Sequence, residues 1–235
     1  MSIADKLQTI AENEQKVFEA GKKSEYDEFW DKYQDNGNRV NYQYGFAGDG
    51  WNKNNFKPKY SMRPTQMSTG FWKLGSKDAD IENAIDFVEV FDDRGLVFDT
   101  SNNENFTSAF MWANIKRLGV IDIRKNSSAF STVFAYGKIK TIEKLIVDEN
   151  VVFQSNTFQN QATLENITIE GVIGTSVAIA QASKLTIESM RSIIAALKDF
   201  GGTTTTATLT LHATAKAKLI ETDIANITQK GWTLA

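Results

Sequence analysis

The sequence predicts an α/β repeat fold: an irregular solenoid with a short parallel β-ladder, an N-terminal helical segment in front of it and a helix-strand cap behind it. Three observations predict this. Phe106, Phe110, Ile115, Leu118, Ile121 and Ile123 recur 24 residues later as Phe130, Phe134, Ile139, Ile142, Leu145 and Val147. A third unit keeps Phe158, Leu164, Ile167 and Ile169 after a two-residue contraction between Phe and Leu, and Ile179 with Leu185 suggests a fourth. Within each unit, pairs such as Ile121 and Ile123 alternate with other residues, as a short strand with one buried face does. No single unit can bury these residues alone, so neighbours must stack, and a period of roughly 20 to 29 residues is the signature of stacked strand-plus-loop units.

Along the chain, residues 2–21 read as an amphipathic helix, with Ser2 as N-cap and Ile3, Leu7, Ile10 and Val17 on one stripe. After Gly21, the residues Tyr26, Phe29, Trp30 and Tyr33 follow the i, i+3, i+4, i+7 spacing of a second short helix that ends near Asn36-Gly37. These two stripes are the candidate assembly contact, because large apolar faces on short helices need a cover. The segment 1–37 is therefore set apart as an attachment or oligomerisation element, and 38–235 as the repeat body, with its cap beginning near 186.

In the body, Val40, Tyr42, Tyr44 and Phe46 alternate and predict a strand over 40–46. Trp51, Phe56 and Tyr60 follow no period and predict a loop carrying core aromatics. An earlier, longer unit spans 67–103: Met67 and Phe71 repeat the spacing of Phe106 and Phe110, residues 81–91 look helical, and Leu96 to Phe98 looks like a strand. Thr186 opens a helix with Ile187, Met190, Ile193, Ile194 and Leu197 on one face, stopped by Gly201-Gly202. A strand at 207–211, a last helix with Ala213, Ala217, Ile220, Ile224 and Ile227 in a stripe, and a terminal strand around Trp232 and Leu234 complete a shield for the final unit.

Composition narrows the function. The chain has 235 residues, a net charge of −3 and no cysteine. It lacks the clustered Lys and Arg that phosphate neutralisation requires, so nucleic acid is not an expected partner. Without cysteine there is no thiolate nucleophile, disulfide or Cys-ligated metal. The stretch Met1 to Gln8 has neither the basic start nor the apolar run of a secretory signal, and no window reaches the roughly 18 apolar residues of a membrane span. The expectation is a protein in the host cytoplasm or associated with a virion, without membrane insertion.

Catalysis needs a constellation, and the inventory is thin. The single histidine, His212, stands between a strand and a helix and reads as a turn or cap residue. Asp92-Asp93 and the pair Glu165 and Glu170 could in principle serve acid-base work, but nothing holds them together, and Asp92-Asp93-Arg94-Gly95 reads as a turn. Asp49, Asn52, Asn54 and Asn55 lack the ligand spacing of a calcium loop. The sequence therefore predicts no enzyme, no metal site and no cofactor. What remains is the outer face of the ladder: Val120, Asp122 and Arg124, then Lys144, Ile146 and Asp148, then Asn166, Thr168 and Glu170, are different residues on one frame and form the candidate recognition face.

The stretches FTSAFMWANIKRLGVIDI, FSTVFAYGKIKTIEKLIV and NTFQNQATLENITIEGV resemble the BspA-like leucine-rich repeats, whose units carry a Phe, then a Leu followed by an Ile-x-Ile strand. The resemblance covers residues 104–185 and departs from the family in the long unit at 67–103, in Gln154 where the third unit's first Phe would stand, and in the helix-rich end. The flanks, MSIADKLQTIAENEQKVFEAGKKSEYDEFWDKYQ and KLTIESMRSIIAAL, are similar to uncharacterised repeat proteins of phages and prophages of gut bacteria. This likeness implies a leucine-rich-repeat solenoid in a phage-tail or virion setting; from the residues themselves, host recognition of a protein or cell-surface ligand through the ladder face and homo-oligomerisation through the N-terminal helices are the expected contacts. A bacterial adhesin of BspA-like type is the alternative it implies, and a cell-wall-active enzyme in the 40–103 region is a third.

Overall fold

A computed structural model describes residues 40–128, 130–201, 203 and 206–235. The expected helices at 2–21 and 26–33, with the stripes Ile3, Leu7, Ile10, Val17, Tyr26, Phe29, Trp30 and Tyr33, lie outside the described residues. The rest is mixed α/β with parallel sheets, few helices and no closed barrel among the described residues.

The elements are β1 (Val40–Asn41), β2 (Pro64–Gln66), β3 (Ile85–Asp86), α1 (Phe87–Asp92), β4 (Asn114–Asp122), β5 (Lys138–Val147), β6 (Asn166–Gly171), β7 (Val177–Ile179), α2 (Ile187–Ala196), β8 (Thr208–Leu211), α3 (Ala213–Lys216), α4 (Glu221–Gln229) and β9 (Thr233–Leu234). They form three sheets, ordered β1-β2, β3-β4-β5-β6 and β7-β8-β9, with every pairing parallel. Parallel pairing of consecutive strands is what the recurring sequence units demand, because each unit must leave and re-enter the ladder in the same direction.

The repeat is visible as register. Ile115 faces Ile139, Leu118 faces Ile142 and Ile121 faces Leu145, so β4 lies on β5 with the 24-residue offset of the sequence. Those six side chains are buried. Buried positions in the ladder fall three apart rather than two: Ile115, Leu118 and Ile121 are buried, and the pairing of β4 with β5 passes over Lys116 and Gly119. Simple alternation along Ile121-Asp122-Ile123 therefore fails: all three are buried.

Opposite the ladder, the segments returning after each unit are ribbons of tight turns. Ser108, Phe110 and Trp112 donate backbone N–H groups to Ser131, Val133 and Ala135, while Ala109, Met111 and Ala113 donate back to carbonyls three residues earlier. Thr69, Phe71 and Lys73 repeat this against Thr107, Ala109 and Met111. The alternation requires a left-handed backbone at Tyr44, Thr69, Lys73, Ser108, Trp112, Thr132 and Tyr136, none of them glycine. The strand expected over 40–46 is thus corrected: β1 ends at Asn41, and Tyr42 to Phe46 is the first such ribbon, turned by Tyr44 at φ 57°.

The core between ribbon and ladder is a pile of phenylalanines. Phe46, Phe71, Phe110, Phe134 and Phe158 stack in sequence with centroids 5.2, 5.3, 5.9 and 5.2 Å apart. This separation is close to the roughly 4.8 Å between paired strands, so the rings inherit the rise of the ladder. Phe153 takes up the position that Gln154 leaves empty, packing edge-on against Phe130 at 5.5 Å. The contracted turn of this unit is closed by buried Gln161, which donates to the Phe134 carbonyl and accepts from Ile139 N–H. Between units the backbones touch at Gly137, where a Cβ would lie 2.1 Å from the Ala113 carbonyl oxygen.

Four further expectations are revised by the structure. Residues 81–91 hold a single 3₁₀ turn at Ile81–Asn83 and then β3, so α1 is only a six-residue helix begun by the Asp86 side chain. The 96–98 segment makes one bridge, Met62 to Phe98, rather than a strand. Helix α2 does begin at the Thr186 cap but ends at Ala196, because Leu197 turns extended to bridge Ile173. The last stripe breaks into α3 and α4 at Ala217 to Ile220, leaving Ile220 and Ile224 exposed while Ile227 is buried.

Helix α2 takes the place of the next ladder strand. Its Ser189 and Ser192 hydroxyls, three residues apart and so on one face, accept the N–H groups of Ile167 and Ile169 at 2.9 and 2.8 Å. Helix α4 packs beside α2, joined by Arg191, whose Nε and Nη2 donate to the two carboxylate oxygens of Asp223 at 3.0 and 3.2 Å. Lys230 closes the end of α2, its ammonium donating to the carbonyls of Ile194, Ala195 and Leu197.

Candidate functional site

The ladder face is built by the residues of β4, β5 and β6 that lie outside the core. Val120 lies on it opposite Lys144, and Val120 is 46% exposed. Lys144 reaches across to Glu170 at 2.7 Å. Ile146 is half-buried between Asp122 and Glu170. Arg124, Asn166, Thr168 and Glu170 are exposed.

Two of the nine sequence-selected positions have structural duties. Asp122 is buried: its carboxylate holds Arg124 through Nη2 at 2.7 Å and Nε at 3.0 Å, and Thr100 Oγ1 receives its backbone N–H. Hydrogen bonding to Asp122 also raises the pKa of the Arg124 guanidinium. Asp148 turns the chain by accepting the Asn150 N–H at 2.8 Å. The expected third row is displaced as well. Asn166 stands beside Thr141, not Lys144, because two residues of β5, Glu143 and Lys144, are opposed only by Thr168 of β6.

The structure adds neighbours that the alternation did not select. Helix α1 and the 96–98 segment overhang the face at β4 and enclose a pocket of about 250 Å³. Its walls are Phe87, Val88, Phe91, Leu96, Val97 and Phe98, its floor Gly119 and Val120, and Asp92 and Glu143 stand at its rim. Beyond Arg117 no described strand pairs with β4 on this side, since β3 stops at Asp86. An isolated glycine within an otherwise apolar strand pattern was the available sequence signal for this opening.

The polar surroundings are largely committed. Arg117 bridges Asp86 and Glu143, and hydrogen bonding to buried Asp86 raises its pKa. Lys140 is held by Glu82 and lies 3.7 Å from Glu165, and its ammonium form is favoured by the Glu82 contact first. Glu165 faces Lys140 and Lys184, Glu170 faces Lys144, so the two glutamates share no site. His212 caps α3, its Nδ1 accepting the Thr214 N–H at 3.1 Å. No group of three His, Cys, Asp or Glu side chains able to hold a metal occurs among the described residues, and no described helix is long and apolar enough to cross a membrane.

A second cavity, about 500 Å³, lies between α2 and α4 and is lined by Arg191, Asp223 and Lys230. Those three are the residues already tying the two helices together, so the cavity is a gap in a structural joint. Compared with known proteins, the chain matches no family model, no curated protein and no solved structure.

Proposed function

We propose that this protein is a non-enzymatic recognition component, built as a leucine-rich-repeat-like solenoid and carried by a phage or prophage tail, that presents its ladder face to a protein or cell-surface ligand. The observation that carries the reading is the division of labour within β4 to β6. Inward columns repeat, as Ile115 and Ile139 or Ile121 and Leu145 do, while outward positions change, as Val120 beside Lys144 and Ile146 beside Glu170 do. A rigid frame with freely varied outer residues suits recognition, because substitutions there leave the core untouched. The frame's 24-residue register and the phenylalanine pile support the repeat assignment, and the likeness of the flanks to phage repeat proteins supports the setting.

The experiment is fractionation after prophage induction in a bacterium encoding this chain, with the protein followed by antibody through purified particles, envelope and cytosol. Co-purification with particles, together with saturable binding of the purified protein to intact host cells, is the expected result. Recovery only in the envelope would replace the tail component with an adhesin. Hydrolysis of purified cell wall by the protein, lost on changing Asp92 and Asp93 to Asn, would replace it with an enzyme.

A further inference from the structure

We infer that the pocket beneath α1 is the anchor of the recognition face and takes one bulky apolar side chain of a peptide segment that carries a lysine or arginine next to it. The inference rests on the proposed recognition role and names the chemistry of its partner.

The pocket exists because β4 has no side chain at Gly119. By the 24-residue offset between β4 and β5 the equivalent place in β5 is held by Glu143, so the side chain missing from the first row is present in the second. Aromatic rings of Phe87 and Phe91 back the hollow, Val97 forms an apolar lip, and the floor residue Val120 is as exposed as Val97, at 46%. A volume of about 250 Å³ matches one large side chain and is too small for a folded element. A bulky side chain desolvated in such a concavity is the kind of anchor that carries a disproportionate share of an interface's binding energy.

Charge selects what lies beside the anchor. The pocket is lined by two carboxylates, Asp92 and Glu143, and by no cation. Glu143 is partly neutralised by Arg117, but Asp92 and its neighbour Asp93 are exposed and have no cation paired with them among the described residues. They also sit at the C-terminal end of α1, the negative end of the helix dipole. A cationic side chain flanking the apolar anchor meets this rim, whereas an acidic one is repelled. On this side no described strand pairs with β4 between Arg117 and Asp122, whose N–H and carbonyl are both taken by the Thr100 hydroxyl, so the peptide's anchor enters at Gly119 and not as an added strand.

The test uses the full chain and a phage-displayed library of random linear peptides. Selected sequences are expected to share Leu, Met, Phe or Trp within two positions of Lys or Arg. A synthetic peptide of that sequence should bind the wild type, weaken at least about tenfold on Gly119→Leu, which fills the hollow, and weaken less on the Asp92→Asn, Asp93→Asn double variant. Gly119 has no positive φ and a Cβ there meets only Val88 at 3.4 Å, so the substitution fits the strand. Should Gly119→Leu nevertheless fail to fold, Val97→Lys at the exposed lip replaces it, with the same expected loss. Absence of any enriched motif, or peptides that bind both variants as well as the wild type, overturns the inference. So does a concentration-dependent dimer abolished by Gly119→Leu, which would assign the pocket to a second copy. Host-cell binding separates this proposal from the one beneath it: binding retained by a folded Gly119→Leu protein removes the pocket and leaves the recognition role standing, while no binding by the wild type removes that role.

Discussion

Thr132 holds a conformation its side chain opposes. At φ 50° its Cβ crowds the following carbonyl, which costs a β-branched residue about 1–2 kcal/mol, and the partial return is the Ser108 to Thr132 hydroxyl contact at 2.7 Å. Thr132→Asn should therefore stabilise the protein by about 1 kcal/mol and raise its melting temperature by a few degrees, since asparagine tolerates the left-handed region without the added unfolded-state entropy of glycine. A fall in melting temperature by calorimetry would mean that the hydroxyl contact outweighs the strain. This residue also marks a limit of the sequence. Most of the ribbon's left-handed positions are occupied by Thr, Ser, Lys, Trp and Tyr, and among the described residues only Gly48 and Asn160 carried a residue signal by which such turns are recognised. Their backbone is imposed by hydrogen bonds to the next unit, not by local preference.

Among the elements, α2 decides where the ladder ends. Ser189→Ala strands the buried N–H of Ile167, and a loss of about 1–3 kcal/mol in denaturant unfolding is expected, with Ser192→Ala costing less because Ile169 is only half-buried. Equal stability of all three proteins would show that the hydroxyls are incidental. The joint between α2 and α4 adds a pH dependence. Hydrogen bonding to Arg191 lowers the pKa of Asp223 from its ordinary value. Its stabilisation is therefore fully present above the unfolded value of about 3.9 and is lost as pH falls through the lower folded value. Between pH 5 and 2 the melting temperature of the wild type should fall more steeply than that of Asp223→Asn, and parallel profiles would contradict the assignment. The helix itself was legible, from the Thr186 cap and the stripe through Ile193 and Ile194. Its end was not, because Leu197 leaves the helix for a bridge to Ile173, a partner 24 residues away in sequence that no local pattern names.

For the molecule as a whole, the phenylalanine pile makes distant units depend on one another. Phe110→Ala removes a fully buried ring from between Phe71 and Phe134 and should cost about 3–5 kcal/mol, with hydrogen exchange accelerated in the amides of both flanking units rather than in its own alone. Exchange confined to residues 106–123 would mean that the units unfold separately. The columns at Phe110, Leu118 and Ile121 could be recognised in the sequence because consecutive units share one length. Phe46 was missed as a member of the same column because it stands 25 residues before Phe71, and Phe71 stands 39 before Phe110, so neither step repeats the spacing of 24 that follows; the pocket was missed because α1 and Val97 approach Gly119 from another unit. The even 24-residue register between β4 and β5 has a consequence for size. A copy of residues 114–137 inserted after Gly137 supplies one more complete rung with its own ring, ribbon and strand, and lengthens the body by about 4.8 Å while leaving both ends as they are. Reach is then a whole-number property of this protein, adjustable in steps by duplication, and the distance between what lies at one end and what lies at the other is set like the marks on a ruler.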